Sequence, residues 1–196
     1  MNRIRFGALA GWGDCRAALF ALRRDDSGVS ALEFALTAPI FCFVLAGAVD
    51  FGGVVFAKIG LDGATSASAN YALTRNAQVT SAAGGGLAAT LAAVVTSNSG
   101  ADVTVVVNNG PSVAIADGVQ TSGGTAANAN SCYCPTRLGD VVSWGGAVTC
   151  GDACTGGGSA GKFVQISANN TYAPLFSDYG IVANGTVSVV TMVQTQ

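Results

Sequence analysis

Residues 29–49 read VSALEFALTAPIFCFVLAGAV, apolar at nearly every position and interrupted by one charge, Glu33. At about 1.5 Å per residue, a helix of this length crosses the ~30 Å hydrocarbon layer of a bilayer. Helical spacing continues beyond it. Residues 50–76 contain no proline and place Val54, Ile59, Leu61, Ala64, Ala69, Ala72 and Leu73 at helical intervals. The pattern predicts one helix of about 45 residues from Val29, kinked near Pro39, reaching roughly 70 Å and so well past the membrane.

Glycines at 84–86 predict a break. Leu87, Leu91, Val94 and Val95 follow at i, i+4, i+7 and i+8, the signature of a short amphipathic helix. The β-branched run 103–107 predicts a strand. Residues 108–131, rich in Asn, Gly, Ser and Thr, predict loops with a short strand at 113–115. Residues 162–167 and 186–193 predict two more strands, separated from the loops by a cysteine segment at 132–154 and a glycine tract at 156–161. The fold class is α+β: a long N-terminal transmembrane helix continuing outside the membrane, packed on a small antiparallel sheet. The predicted organisation is a leader at 1–28, the helix at 29–76, and an extracytoplasmic domain at 77–196 with a cysteine-stapled loop.

Composition sharpens this. Half of the residues are hydrophobic and 10% are charged, against about 25% charged in ordinary soluble domains. Such a chain lies partly in lipid or packs into an assembly. Its formal net charge of −2 offers no basic surface for nucleic acid. The charges divide at the membrane segment. Residues 1–28 hold Arg3, Arg5, Arg16, Arg23 and Arg24 against Asp14, Asp25 and Asp26, or 5 − 3 = +2. The remainder holds four basic and eight acidic residues, or 4 − 8 = −4. The positive-inside rule puts the N-terminus in the cytoplasm and the rest beyond the inner membrane.

Glu33 demands a reason. A carboxylate at the centre of a membrane helix costs about 2.5–3.5 kcal/mol on insertion scales, less near the headgroups. It stands five residues after Gly28, where a basic polar stretch ends and the apolar helix begins. Glycine followed at the fifth position by glutamate at the mouth of a membrane helix resembles the type IV prepilin processing site. With Glu33-Phe34-Ala35-Leu36, Pro39, Asp50-Phe51-Gly52 and the alanine-rich stretch at 64–69, the segment resembles the TadE-like family, minor pilins or pseudopilins of tight-adherence (Flp) pilus assembly. The tail agrees in layout only, with paired cysteines, a strand, Tyr172-Ala173-Pro174-Leu175-Phe176 and a final strand. The resemblance implies cleavage between Gly28 and Val29 by a prepilin peptidase. It implies that Glu33 meets the freed Val29 amine of a neighbouring subunit, with Phe34 and Pro39 as further assembly and register residues, the Pro39 kink allowing the helix to bend as subunits pack. It implies the major pilin and the inner-membrane assembly platform as partners. The bland alternative leaves Glu33 at headgroup depth in an uncleaved anchor, and Pro39 as a tolerated membrane proline.

Cys132, Cys134, Cys150 and Cys154 lie on the predicted outer side, an oxidising compartment where disulfides are the expectation. Zinc pairs favour two to four intervening residues, and one separates Cys132 from Cys134. Three connectivities are open, and bonds between the two pairs are favoured over a strained Cys132–Cys134 ring. Cys42 reads as a small apolar residue in lipid.

Other motifs fail on context. Gly157-Gly158-Ser159-Ala160-Gly161 matches a nucleophile elbow, yet a chain without histidine does not complete that triad. Residues 156–162 match most of a phosphate loop, but Phe163 replaces the magnesium-binding hydroxyl. Ala46-Gly47-Ala48 fits signal peptidase only behind an n-region of unusual length and acidity. Asp102, Asp117, Asp140, Asp152 and Asp178 form no acid pair and read as solvated turn residues. The sequence therefore calls for no enzyme, metal or cofactor. The rival function is an uncleaved, membrane-anchored adhesion or binding module.

Overall fold

The computed structural model describes residues 28–174 and 185–196. The leader at 1–27, Leu175, Phe176 and Asp178 lie outside the described residues. The chain divides into two compact units, 1–47 and 48–196. Helix α1 (Val29–Thr74) begins in the first and ends in the second. It runs on through Pro39, and the Thr37 hydroxyl donates to the carbonyls of Glu33 (2.9 Å) and Phe34 (3.3 Å) just before that proline.

In the first unit no side chain of α1 is buried. Leu32, Phe34, Leu36, Ile40, Phe41, Phe43 and Val44 are all exposed. A helix apolar on every side calls for burial all round, in lipid or in an assembly, because burying one face leaves the others against water. It is long and apolar enough to cross a membrane.

The second unit has a core of its own. There α1 buries Leu61, Ala64, Thr65, Ser68, Ala69 and Ala72, at i, i+3, i+4, i+7, i+8 and i+11. The small residues let a second helix, α2 (Gly84–Ser99), approach closely, and the Ser68 hydroxyl donates to the Leu91 carbonyl at 3.1 Å. α2 contributes Leu87, Ala88, Leu91, Ala92 and Val95 to the core. It stops at Gly100, left-handed at φ 64°, whose N–H donates to the Thr96 carbonyl. The glycines at 84–86 form the first turn of α2 and not the predicted break. A Cβ on Gly84 would stand 3.2 Å from the Pro111 ring and 3.3 Å from Val107, so glycine is what lets the helix start against the sheet.

The sheet is antiparallel throughout, in the order β3-β2-β1-β6-β7. Its strands are β1 (Asp102–Val107), β2 (Ser112–Ala116), β3 (Val119–Gly123), β6 (Phe163–Thr171) and β7 (Thr186–Gln194). A two-stranded hairpin, β4 (Thr136–Leu138) with β5 (Val141–Ser143), belongs to the cysteine segment. Alternation decides which face meets the helices. Val103, Val105 and Val107 of β1 are buried, as are Val164, Ile166 and Ala168 of β6 and Val187 and Val189 of β7.

β3 was not among the predicted strands. Between β2 and β3 stand Asp117 (φ 50°) and Gly118 (φ 76°), the positive-φ pair that a two-residue hairpin requires. That dipeptide is the signal that would have extended the short predicted strand into a hairpin. The fold class is α+β, with the long apolar helix, the antiparallel sheet and two disulfides present.

Candidate functional site: the N-terminal helix and the stapled loop

Gly28 and Val29 stand at the start of α1, both exposed. Nothing lies within 4 Å of where a Gly28 Cβ would be. Glu33 is one helical turn beyond Val29, so the two share a face. Glu33, Phe34 and Pro39 are all exposed. The arrangement is a bare apolar rod with one carboxylate near its beginning. It offers apolar contact area and one carboxylate.

Within the second unit, Asp50 and Tyr172 meet, a contact that residue order alone does not show. Asp50 is buried at 1% exposure. The Tyr172 hydroxyl donates to the Asp50 carbonyl at 3.2 Å and presses onto the notch left by Gly53, where a Cβ would overlap it. Tyr172 itself is held as β6 ends, its N–H donating to the Gly185 carbonyl at 2.8 Å. Asp50 and Gly53 thus seat Tyr172, the residue that follows β6.

All four late cysteines are joined, Cys132 to Cys150 and Cys134 to Cys154, across sequence separations of 18 and 20. The bonds run between the two pairs. Tyr133, between the first two cysteines, is buried at 3% exposure. It pairs with Gly161 through both backbone bonds and meets Trp144 edge-on at 6.0 Å. The loop is tied to the sheet by Asn108, fully buried. Its amide donates to the carbonyls of Ala129 (3.0 Å) and Ser131 (2.6 Å), and its side-chain oxygen accepts from the Phe163 N–H at 3.2 Å. Asn108 is a positive-φ residue in a stretch that reads as ordinary turn, so only its burial reveals the role.

The remaining candidates stay apart. The glycine tract leads into β6 rather than a helix, which removes the helix N-terminus that a phosphate loop needs. Asp117 sits in a turn as predicted, while Asp102 opens β1 and accepts from the Asp117 N–H at 3.0 Å. Asp140 accepts from the Ser188 hydroxyl at 2.6 Å and lies 3.8 Å from Arg137. Cys42 is exposed on the apolar helix and unbonded.

An apolar N-terminal helix opening a chain whose second unit is a disulfide-stapled α+β fold defines a protein with a single-pass membrane anchor. Residues 28–70 match the family model described as TadE-like protein, the same stretch on which the resemblance rests. The match covers 43 of the chain's 196 residues, so the likeness is that of this segment. No curated protein and no solved structure matches the chain.

Proposed function

We propose that this chain is a TadE-like minor pilin or pseudopilin of tight-adherence (Flp type IV) pilus assembly, acting by helix packing and not by catalysis. The observation that carries the reading is Glu33: an exposed carboxylate on an otherwise apolar helix face, five residues after Gly28, inside a segment that matches the TadE-like family.

In this reading the leader is cytoplasmic and the second unit lies beyond the inner membrane. A prepilin peptidase hydrolyses the Gly28–Val29 bond. Glycine suits such a site because no side chain obstructs the backbone. The new ammonium at Val29 of one subunit meets Glu33 of another, offsetting two desolvation costs at once. A subunit out of register leaves a charge unpaired, and breaking a buried pair costs about 3–5 kcal/mol. Glu33 sets register, and the exposed apolar residues of α1 supply area against the major pilin and the assembly platform. The second unit is a specialised head on that helix.

The separate core of residues 48–196 favours a second reading, an uncleaved anchor carrying an adhesion or binding module. The mature N-terminus, measured by mass spectrometry in cells with and without their prepilin peptidase, separates the two. Chains beginning at Val29 only when the peptidase is present support the pilin reading. Chains beginning at Met1 in both strains overturn it in favour of the anchor. Glu33→Ala is expected to leave cleavage intact and to strip the chain from assembled material.

A further inference from the structure

The hydropathy run of α1 ends at Asp50, yet that charge does not end the apolar surface of the helix. Asp50 is buried at 1% exposure and has a partner. It opens the stripe by which α1 meets its own unit. Val54, Leu61, Ala64 and Ser68 follow it at i+4, i+11, i+14 and i+18, on one helix face. On the opposite side Phe51, Val55, Phe56 and Ile59 are exposed at 59%, 39%, 80% and 64%. Between Glu33 and Lys58 no charged residue other than Asp50 occurs. Lys58 and Asp62 are the first exposed charges beyond Glu33.

A lipid boundary drawn at Val49 leaves these four apolar side chains in or beyond the headgroups and puts Glu33 inside the hydrocarbon. A boundary drawn at Gly53 lies about 6 Å further along the helix. A membrane-crossing span of about 20 residues ending there begins at Phe34, directly after Glu33. The one carboxylate in that span, Asp50, is shielded by protein. The headgroup layer, about 5–7 Å deep on each side, then runs from Gly53 to near Lys58. Tyr172 belongs to it. Its hydroxyl donates to the Asp50 carbonyl at 3.2 Å and its side chain packs against the core. Tyrosine favours that depth because its ring is apolar and its hydroxyl polar. The boundary moves no further out, because Asn170 and Thr171, exposed at the end of β6, would carry polar side chains into hydrocarbon at a cost.

We propose that the second unit rests on the membrane leaflet from which it emerges, with Phe51 in hydrocarbon, and Val55, Phe56 and Tyr172 at headgroup level. The domain thereby carries Asp50 below the membrane surface. The occupant of the exposed face is lipid because that face continues the membrane-crossing run on the same helix with no exposed charge before Lys58. Another helix on the same face is the rival occupant. The inference rests on the single-pass anchor and depends neither on cleavage at Gly28 nor on a pilus.

The test uses the full chain, with Cys15→Ala and Cys42→Ala throughout, in vesicles of phosphatidylethanolamine and phosphatidylglycerol. Phe51→Cys, Phe56→Cys, Ser66→Cys and Ala173→Cys, all at exposed positions, each carry a nitroxide. Collisions with oxygen, which dissolves in lipid, and with a water-soluble nickel chelate give the depth of each label. Oxygen is expected to dominate at 51, the two to balance at 56 and 173, and nickel to dominate at 66. The profile along α1 is expected to place the hydrocarbon boundary about 6 Å beyond Val49. Nickel dominating at 56 and 173 as it does at 66 overturns the proposal, because the unit then stands clear of the bilayer. Low access to both reagents at 51 and 56 also overturns it, since protein and not lipid then covers the face. Chains that fail to float with the vesicles overturn the anchor itself. Retained circular dichroism and native disulfides in each variant show that a change of depth is not unfolding.

Discussion

Helix α1 is one continuous element living in two solvents. From Val29 to Val49 it buries no residue, and its phenylalanines and leucines are exposed. From Leu61 to Ala72 it buries a stripe of small and apolar residues and leaves the opposite side polar, as at Asp62, Ser66 and Asn70. The same backbone hydrogen bonds serve both halves. What differs is the placement of apolar residues around the axis: everywhere in one, on one side in the other. Amphipathicity needs water as well as a core, so its absence marks a segment meant to be surrounded on every side.

That contrast is open to experiment. The largest effect is expected from Cys132→Ser with Cys134→Ser, which opens both disulfides. Each closes a loop for which the chain-entropy relation gives about 3 kcal/mol. Denaturant unfolding of the outer unit is expected to shift by more than either bond alone but less than the sum, because the two loops overlap, with no change in the membrane association of residues 29–49. Next comes a matched pair of truncations. Leu91→Ala, at a position without exposure, is expected to destabilise by about 2–5 kcal/mol. Leu36→Ala is expected to leave the same unfolding curve in place, and equal effects from the two would erase the distinction between the halves.

A smaller effect sharpens the boundary itself. Gly53→Ala pushes a methyl group into the Tyr172 hydroxyl, an overpacking worth about 1–3 kcal/mol. Tyr172→Phe, which removes that hydroxyl, is expected to recover part of the loss in the double variant. The smallest effect has the opposite sign. Gly60→Ala, in the same helix with nothing within 4 Å, is expected to stabilise by about 0.5–1 kcal/mol through backbone entropy alone. Thermal melts of the two glycine variants side by side would show whether the seat under Tyr172 is real.

Much of this was legible in residue order, and the reasons are local. The 46 residues of α1 declared themselves because hydropathy and helical spacing act over long windows. β1, β6 and β7 followed from β-branched runs. The glycines before Leu87 misled, since their low helix propensity was overridden by packing against Val107 and Pro111. β3 escaped because its five residues are all exposed and carry no apolar alternation. Gly28, Glu33 and the cysteines could be named from spacing. The role of Asn108 and the contact of Tyr172 with Asp50 and Gly53 could not, because each depends on partners 21 to 122 residues distant.

The disulfides also bear on how the sheet comes together. Its central pairing joins β1 to β6, so Val107 must find Val164 across the whole cysteine segment. Loop-closure entropy grows with the length of free chain between partners, and topologies rich in such distant pairings fold slowly. Once Cys132 is linked to Cys150 and Cys134 to Cys154, most of that segment is short-circuited and β6 is tethered near its destination. The bonds thus act on the speed of assembly as well as on its endpoint. A chain oxidised late is left with its first hairpins made and β6 still searching.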